Sequence, residues 1–124
     1  MDLSGILLVS DLDGTLIGEN FVVPQRNLDA IARFQQEGGS FAIATGRSIL
    51  SGGHYAELTH PKGPCICLNG TILYDYTQQK MLWDCHLDQR TAAEYIQRLY
   101  DRFPTAGIEY FCIKTIHILR RNAY

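Results

Sequence analysis

Two aspartates one residue apart, Asp11 and Asp13, follow a short apolar run in the stretch LLVSDLDGTLIG of residues 7–18. Two carboxylates held close together repel each other, so a site that keeps both must contain a cation or keep one acid protonated. Mg²⁺ is a hard cation that proteins commonly bind through one or two carboxylates together with a substrate phosphate. The spacing therefore indicates a site that binds Mg²⁺ together with a phosphate group of a substrate.

The two acids suit the two tasks of phosphoryl transfer. With a cation present, Asp11 stays ionised and can attack phosphorus, while Asp13 handles the proton of the leaving group. Taken alone, an Asp-x-Asp pair also suits a turn at the end of a strand or a helix cap. The rest of the chain must decide between these interpretations.

Short apolar runs alternate with helical patterns over the first 70 residues. A helix is expected to open at Pro24, and a second, weaker helix after Ser48 is expected to break at Gly52 and Gly53. The apolar runs predict three strands covered on both faces, as in a parallel sheet flanked by helices with right-handed crossovers. These strands cover residues 5–11, 40–45 and 65–69.

The predicted sheet brings several polar residues to one edge. In an open α/β sheet, ligands bind outside the carboxyl ends of the strands, and Asp11, Thr45 and Asn69 each stand at such an end. Gly14 and Gly46 let the backbone approach an anion closely, and the turn after Thr45 opens toward a helix N-terminus, which favours phosphate. One crevice is expected to collect these groups.

The remainder of the chain has a different pattern. Residues 71–84 predict a hairpin, residues 89–103 an amphipathic helix, and residues 107–121 two further strands. In this last region Glu109 and Lys114 suit exposed hairpin positions or substrate contact. The adjacent Arg120 and Arg121 suit a solvated strand end.

Composition limits the partners and the compartment. The chain has 124 residues, 46% of them hydrophobic, and a net charge of -2, with basic residues scattered, so neither nucleic acid nor membrane is expected as a partner. No apolar run approaches the roughly 18 residues of a membrane helix, and the start lacks a basic signal region, which predicts a cytoplasmic protein. The four cysteines are expected to be reduced and metal-free.

Three motifs carry a family resemblance: DLDGTL at residues 11–16, ATGRS at 44–48 and LNGTILYD at 68–75. Together they closely resemble the haloacid dehalogenase-like phosphatases, specifically the Cof-type group with an inserted α/β cap. The resemblance implies a Rossmann-like core and Mg²⁺-dependent hydrolysis of small phosphate monoesters, sugar phosphates among them, through an aspartyl phosphate. The alternatives are a phosphotransferase or mutase on the same scaffold, a non-catalytic remnant or interaction protein, and a flavodoxin-like binding module.

The resemblance also implies a role for each matching residue. Asp11 would be the nucleophile and a Mg²⁺ ligand through its carboxylate, and Asp13 the general acid/base and a Mg²⁺ ligand through its backbone carbonyl. The remaining matches would bind substrate: Thr45 the phosphoryl group, with Gly46 leaving room, Arg47 near the substrate and Asn69 lining the crevice. Arg47 also suits a solvated position in a first helical turn.

The implied domains are a core over residues 1–82 and the start of a cap over residues 83–124. The lysine and acidic motifs that follow the cap in this family have no counterpart, since Lys62, Lys80 and Lys114 all come before that point. We therefore expect the sheet to be incomplete. We also expect this chain alone to be a poor catalyst for the hydrolysis of its substrate, a small phosphorylated metabolite. The missing strands would leave an unpaired sheet edge, which predicts self-association or help from another chain.

Overall fold

The computed structural model describes residues 2–113 and 115–122, so Lys114 lies outside the described residues. The chain divides into two compact units, Met1–Asp84 and Cys85–Tyr124, called here the first and second units. The strands are β1 (Leu7–Ser10), β2 (Ser40–Ile43), β3 (Cys65–Cys67), β4 (Ile72–Asp75), β5 (Lys80–Asp84), β6 (Ile108–Phe111) and β7 (Ile116–Arg120). The helices are α1 (Gln25–Gln36), α2 (Ile49–Thr59) and α3 (Gln89–Arg102).

A parallel arrangement of β1, β2 and β3 confirms the predicted α/β class. β1 and β2 pair in parallel along their whole length. An isolated parallel bridge between Ala44 and Ile66 joins the end of β2 to β3, and the Thr45 N–H donates to the Ile66 carbonyl at 2.9 Å. The three strands therefore end at the same edge of the sheet.

The predicted hairpin extends this sheet with antiparallel strands. β4 pairs with both β3 and β5. At the turn, the buried Asp75 carboxylate accepts a hydrogen bond from the Gln78 N–H at 2.9 Å, and Gln79 adopts a left-handed φ of 50°. The first unit thus has five strands in the order β1-β2-β3-β4-β5.

The core of the first unit lies between this sheet and the helices. α1 begins directly after Pro24, as predicted, and contributes Ile31 to the buried cluster. Burying one large apolar side chain contributes about 1.5–3 kcal/mol to stability. The side chains with the least exposure are Leu12, Ile17, Phe41, Ile43, Cys65 and Cys67.

The prediction that α2 breaks at Gly52 and Gly53 is wrong. The helix runs unbroken from Ile49 to Thr59, and Ser48 caps its start by accepting from the Ser51 N–H at 3.2 Å. A Cβ atom on Gly52 would lie 2.9 Å from the hydroxyl oxygen of Tyr76. Gly52 therefore allows close packing of the helix against Tyr76.

The third strand is shorter than predicted, because it ends at Cys67 and not at Asn69. Leu68 and Asn69 have left-handed φ values of 47° and 55°, which an extended strand cannot accommodate. They form the 3-10 turn Leu68–Gly70, and their N–H groups bond to the loop after β2. Cys65 and Cys67 are buried on one face, as expected.

The prediction that β1 is covered on both faces is also wrong. Leu7, Leu8 and Val9 are 58%, 45% and 45% exposed. Among the described residues, β1 pairs only with β2, so its second edge and much of its apolar surface face solvent. This edge is the unpaired one that the sequence predicted.

The second unit contains α3 and the antiparallel pair β6–β7. Asp88 caps α3 by accepting from the Thr91 N–H at 3.0 Å. Arg120 is not simply a solvated strand end: its guanidinium lies 3.6 Å from the ring centroid of Tyr100 and donates to the carbonyls of Tyr100 and Phe103. None of the helices in the described ranges is long and apolar enough to cross a bilayer.

Candidate active site

The carboxyl ends of three neighbouring strands form the candidate site. Asp11 follows β1 and Thr45 follows the last pairing of β2, where the Ala44 N–H donates to the Ser10 carbonyl at 2.9 Å. Asn69 lies in the turn after β3. The structure therefore places all three of these predicted residues at the carboxyl end of the sheet. The surface that they form there is called here the crevice.

The loop of residues 45–47 is fastened to the turn after β3. The Asn69 N–H donates to the Thr45 carbonyl at 3.2 Å, and the Leu68 N–H donates to the Arg47 carbonyl at 3.0 Å. A Cβ atom on Gly46 would lie 2.9 Å from Asn69 Oδ1. The space that a side chain at position 46 would fill is thus occupied on one side by the Asn69 amide.

Thr45 is buried, at 6% exposure, and shapes its own turn. Its Oγ1 accepts a hydrogen bond from the Arg47 N–H at 3.1 Å. A hydroxyl that accepts in this way keeps its own O–H to donate. Thr45 can therefore fix the turn and donate to an oxygen of a bound anion at the same time.

Asp13 and Arg47 form a two-point ion pair across the crevice. Arg47 Nε donates to Asp13 Oδ2 at 2.8 Å, and Arg47 Nη2 donates to Asp13 Oδ1 at 2.6 Å. The hydrogen bonds from Arg47 lower the pKa of the Asp13 carboxyl, and the same bonds raise the pKa of the Arg47 guanidinium. Arg47 therefore pairs with Asp13 at the candidate site, and with a side chain only 24% exposed it is not the solvated residue of a first helical turn that was the alternative.

Two aromatic residues that the sequence analysis did not single out contact Arg47. Its Cζ atom lies 5.0 Å from the ring centroid of Tyr55 and 5.8 Å from that of Phe21. Tyr55 is a buried residue of α2, so the apolar face of that helix could have indicated its burial, but not its contact with Arg47. No sequence signal predicts Phe21, because its position depends on a left-handed φ of 57° in a loop.

The loop after β1 turns both aspartates toward the outside. Leu12 between them is completely buried, whereas Asp11 and Asp13 are exposed. Gly14 takes a φ of 78°, and its N–H donates to the Ile17 carbonyl at 3.0 Å to close the loop. The Asp11 carboxylate makes no hydrogen bond to the residues that the structure describes, so it is available to a ligand.

The donors for a cation are sparse. Within residues 2–113 and 115–122, no group of three or more His, Cys, Asp or Glu side chains could hold a metal ion. The Asp11 carboxylate and the Asp13 backbone carbonyl do not make a closed cage. They fit the open kind of Mg²⁺ site, in which waters and substrate phosphate supply the remaining ligands.

The lysines of the first unit do not complete the site. Lys62 Nζ donates to the Gln35 carbonyl at 3.3 Å, at the far end of α1, and Lys80 begins β5.

Glu109 lines a cavity of about 520 Å³ in the second unit, whose lining residues all come from residues 107–122. The crevice of the first unit is therefore distinct in its residues from this cavity.

Comparisons with known proteins bear on the family of this chain. A family model described as haloacid dehalogenase-like hydrolase matches residues 8–122. The pyridoxal phosphate phosphatase YbhA of Escherichia coli is 33% identical over 76 residues, which cover 61% of this chain and 28% of that enzyme.

Two solved structures show the same fold. A haloacid dehalogenase-like hydrolase of Bacillus subtilis has a TM-score of 0.80 at 23% identity, covering 94% of this chain and 40% of that chain. The subclass IIB sugar phosphatase BT4131 has a TM-score of 0.71 at 19% identity, covering 91% of this chain and 43% of that chain. The chain thus spans less than half the length of each relative.

Proposed function

The chain belongs to the haloacid dehalogenase-like hydrolase family, and we propose that it carries the nucleophile and phosphate-binding loop of a Mg²⁺-dependent phosphatase. The observation that carries the proposal is the crevice, where Asp13, Arg47 and Thr45 are joined by hydrogen bonds and the exposed Asp11 stands two residues from Asp13. Two relatives are named as phosphatases of pyridoxal phosphate and of sugars. The proposed substrates are small phosphorylated metabolites of that kind.

The proposed reaction has two steps. In the first, Asp11 forms an oxygen–phosphorus bond as the ester bond breaks, and the departing oxygen takes a proton from Asp13. Because Arg47 holds Asp13 as a carboxylate in the free chain, this step requires Asp13 to take up a proton as substrate binds. In the second, water attacks phosphorus and gives a proton to Asp13 while the bond between Asp11 and phosphorus breaks. Inorganic phosphate leaves, and the Asp11 carboxylate and the protonated Asp13 are restored. Mg²⁺, when held by the Asp11 carboxylate and the Asp13 carbonyl, would offset the negative charge of the phosphoryl group.

Arg47 is suited to bind phosphate while it contacts Asp13. A guanidinium has five N–H donors, and Asp13 uses two of them. The others can bond to phosphate oxygens, for which the planar shape of arginine is well matched. With the Thr45 hydroxyl and the backbone at Gly46, they make up the proposed phosphate site, which Asn69 supports from the turn after β3.

A second candidate function is phosphate binding with little turnover. It is favoured because neither a third acidic ligand nor a lysine accompanies Asp11 and Asp13 within the described ranges. Removing one electrostatic group of this kind costs other enzymes about 3–4 kcal/mol of transition-state stabilisation. We propose that residues 1–82 act as the core and residues 83–124 as part of a cap, with efficient turnover requiring further chain. Transfer of the phosphoryl group to a second hydroxyl is the related alternative.

Two further proposals concern the surroundings of the molecule. The unpaired edge of β1 exposes Leu7, Leu8 and Val9, which supports self-association by strand pairing.

The cytoplasm is the proposed compartment, since four reduced cysteines and a phosphorylated metabolite both suit it. Neither nucleic acid nor membrane is a proposed partner.

The substitution Asp11→Asn tests the proposed function. We expect the wild-type chain with Mg²⁺ to bind beryllium fluoride, seen as a bound signal by ¹⁹F NMR, and to hydrolyse p-nitrophenyl phosphate slowly. Asp11→Asn removes the attacking oxygen and should abolish both. Asp29→Asn, which changes an exposed carboxylate on α1, is the matched control and should retain both. Equal binding by wild type and Asp11→Asn would contradict the proposal.

A further inference from the structure

We infer that Phe21 and Tyr55 are positioning residues that hold the Arg47 guanidinium at the crevice by contact with their two rings. The pair is called here the aromatic clamp. The Arg47 Cζ atom lies within 6 Å of both ring centroids, at 5.0 Å for Tyr55 and 5.8 Å for Phe21. Cation–π attraction operates at these distances and is stronger where water is excluded from one partner.

The clamp joins a helix to a loop. Tyr55 is buried in α2, and its hydroxyl donates to the Phe21 carbonyl at 3.1 Å. Phe21 is 64% exposed and has a left-handed backbone, which is unfavourable for an aromatic residue. A ring left in water on a strained loop gains little from burial, so its contact with Arg47 and the bond from Tyr55 account for its position.

The clamp matters because arginine is a long and flexible side chain. Ring contacts on the guanidinium restrict its rotation, so the edge carrying Nε and Nη2 is directed at Asp13 before any ligand binds. Lysine would be held less firmly, because its ammonium is attracted to a ring but lacks the flat face that stacks on it. Supporting contacts of this kind decide how accurately a binding group is placed.

The role of the clamp in phosphate binding rests on the proposed function, whereas the placement of Arg47 can be measured directly. Tyr55 also belongs to the buried core cluster, so removing its ring would disturb the fold itself. Two mild substitutions avoid that difficulty. Phe21→Leu removes an exposed ring, and Tyr55→Phe keeps its ring but removes the hydroxyl, which bonds to the Phe21 carbonyl and also interacts with the Arg47 guanidinium.

The test observes the Arg47 Nε–H group by NMR in the full 124-residue chain labelled with ¹⁵N-arginine. The signal is assigned by its loss in Arg47→Lys. In Phe21→Leu we expect its proton to exchange with water about two- to fivefold faster, the factor that one exposed cation–π contact supplies. Tyr55→Phe should give a smaller increase, because both rings remain.

A matched control lies in the second unit. Phe103 is 49% exposed, and Arg102 Cζ lies 5.9 Å from its ring, so Phe103→Leu removes a similar contact elsewhere. We expect Phe103→Leu to leave the exchange of the Arg47 proton unchanged. Equal exchange rates in wild type and Phe21→Leu, with Phe21→Leu folded by circular dichroism, would overturn the inference.

A titration with inorganic phosphate separates the inference from the proposed function. If both hold, phosphate shifts the Arg47 signal, and Phe21→Leu weakens that binding by about two- to fivefold. If phosphate shifts nothing while Phe21→Leu still speeds exchange, the clamp stands and the proposed function fails. If phosphate binds wild type and Phe21→Leu equally and exchange is unchanged, the clamp fails and the proposed function stands.

Discussion

Arg47 donates to both carboxylate oxygens of Asp13, 34 residues earlier in the chain, and so ties the loop after β1 to the loop after β2. The Asp13 side chain is 49% exposed, and an ion pair as exposed as this contributes at most about 1 kcal/mol to stability. The ion pair between Asp13 and Arg47 therefore adds little stability, although its two-point geometry is accurate. We interpret it as a contact that organises the crevice.

Replacing Arg47 with lysine should therefore separate binding from stability. Lysine keeps the charge but cannot donate to both oxygens in one plane or stack on Tyr55. We expect Arg47→Lys to weaken the binding of inorganic phosphate about tenfold or more, the range for charge-assisted hydrogen bonds. The midpoint of urea unfolding should change little. Phosphate titration by NMR and urea unfolding by circular dichroism provide the two measurements.

The control for this substitution is Arg33→Lys. Arg33 also bonds to a carboxylate through Nε, at 3.1 Å to Glu37, but on the exposed side of α1 and 80% exposed. It should leave phosphate binding unchanged. A loss of phosphate affinity as large in Arg33→Lys as in Arg47→Lys would mean that general charge, and not the crevice, attracts the anion.

The sequence predicted the fold class, the family and the placement of Asp11, Thr45 and Asn69 at the carboxyl end of the sheet. The comparisons confirm the family, and the structure confirms the fold class and this placement. This success has a physical basis, because parallel strands with polar residues at their ends must present them at one edge. The chemical roles of these residues stay predictions. The errors arose where tertiary contacts decide the outcome: the Tyr76 hydroxyl beside Gly52, and the left-handed backbone at Leu68.

The two adjacent glycines of α2 should respond in opposite directions to alanine. A Cβ atom on Gly53 would lie 3.8 Å from a Tyr76 ring carbon, an ordinary contact, so Gly53→Ala should stabilise the chain by about 0.5–1 kcal/mol through helix propensity. A Cβ atom on Gly52 would lie 2.9 Å from the Tyr76 hydroxyl oxygen, so Gly52→Ala should destabilise it. The free energy of unfolding in urea measures both.

The loss of stability expected in Gly52→Ala comes from the Tyr76 hydroxyl, which Tyr76→Phe removes. This hydroxyl donates to the Ile49 carbonyl at 2.9 Å, so Tyr76→Phe has a cost of its own. In the double variant with Gly52→Ala, the cost of alanine should fall by more than the error of the measurement. Equal costs of Gly52→Ala with tyrosine or phenylalanine at position 76 would exclude the clash as the reason.

The cysteines should divide into two reactive and two unreactive thiols. Burial raises the pKa of Cys65 and of Cys67, whereas Cys85 and Cys112 are exposed. Because only the thiolate reacts, an aromatic disulfide reagent at mildly alkaline pH should modify the exposed pair rapidly. The buried pair should react only after unfolding in guanidinium. Equal reaction of all four in the folded chain would contradict the burial of β3.

The same burial makes stability depend on alkaline pH. The unfolded thiols ionise near their ordinary value of 9.0, whereas the folded ones, with raised pKa values, keep their protons. Below this pH the two states bind equal numbers of protons, and above it the unfolded state binds fewer. Stability should therefore fall as pH rises above about 9, by up to about 1.4 kcal/mol per pH unit for each thiol. In the double variant with serine at both positions, this slope should disappear between about pH 9 and 10. A slope should remain above about pH 10, because burial also raises the pKa of Tyr76.

The exposed edge of β1 should make the chain associate at high concentration. Leu7, Leu8 and Val9 present apolar side chains, and within the described part of the chain the outer side of β1 pairs with no other strand, which together form a template for another strand. We expect the apparent mass, measured by size-exclusion chromatography with light scattering, to rise with protein concentration. The substitution Val9→Lys should suppress this rise, because charge on an edge strand opposes pairing.

The choice of control decides whether β1 itself is responsible. Leu87 is 63% exposed and lies outside every strand, so Leu87→Lys changes the net charge and the exposed apolar area in the same direction as Val9→Lys. Association that persists in Leu87→Lys but not in Val9→Lys locates the contact at β1. A compact monomer at every concentration, with Val9 unchanged, would show instead that the free edge alone does not recruit a second chain.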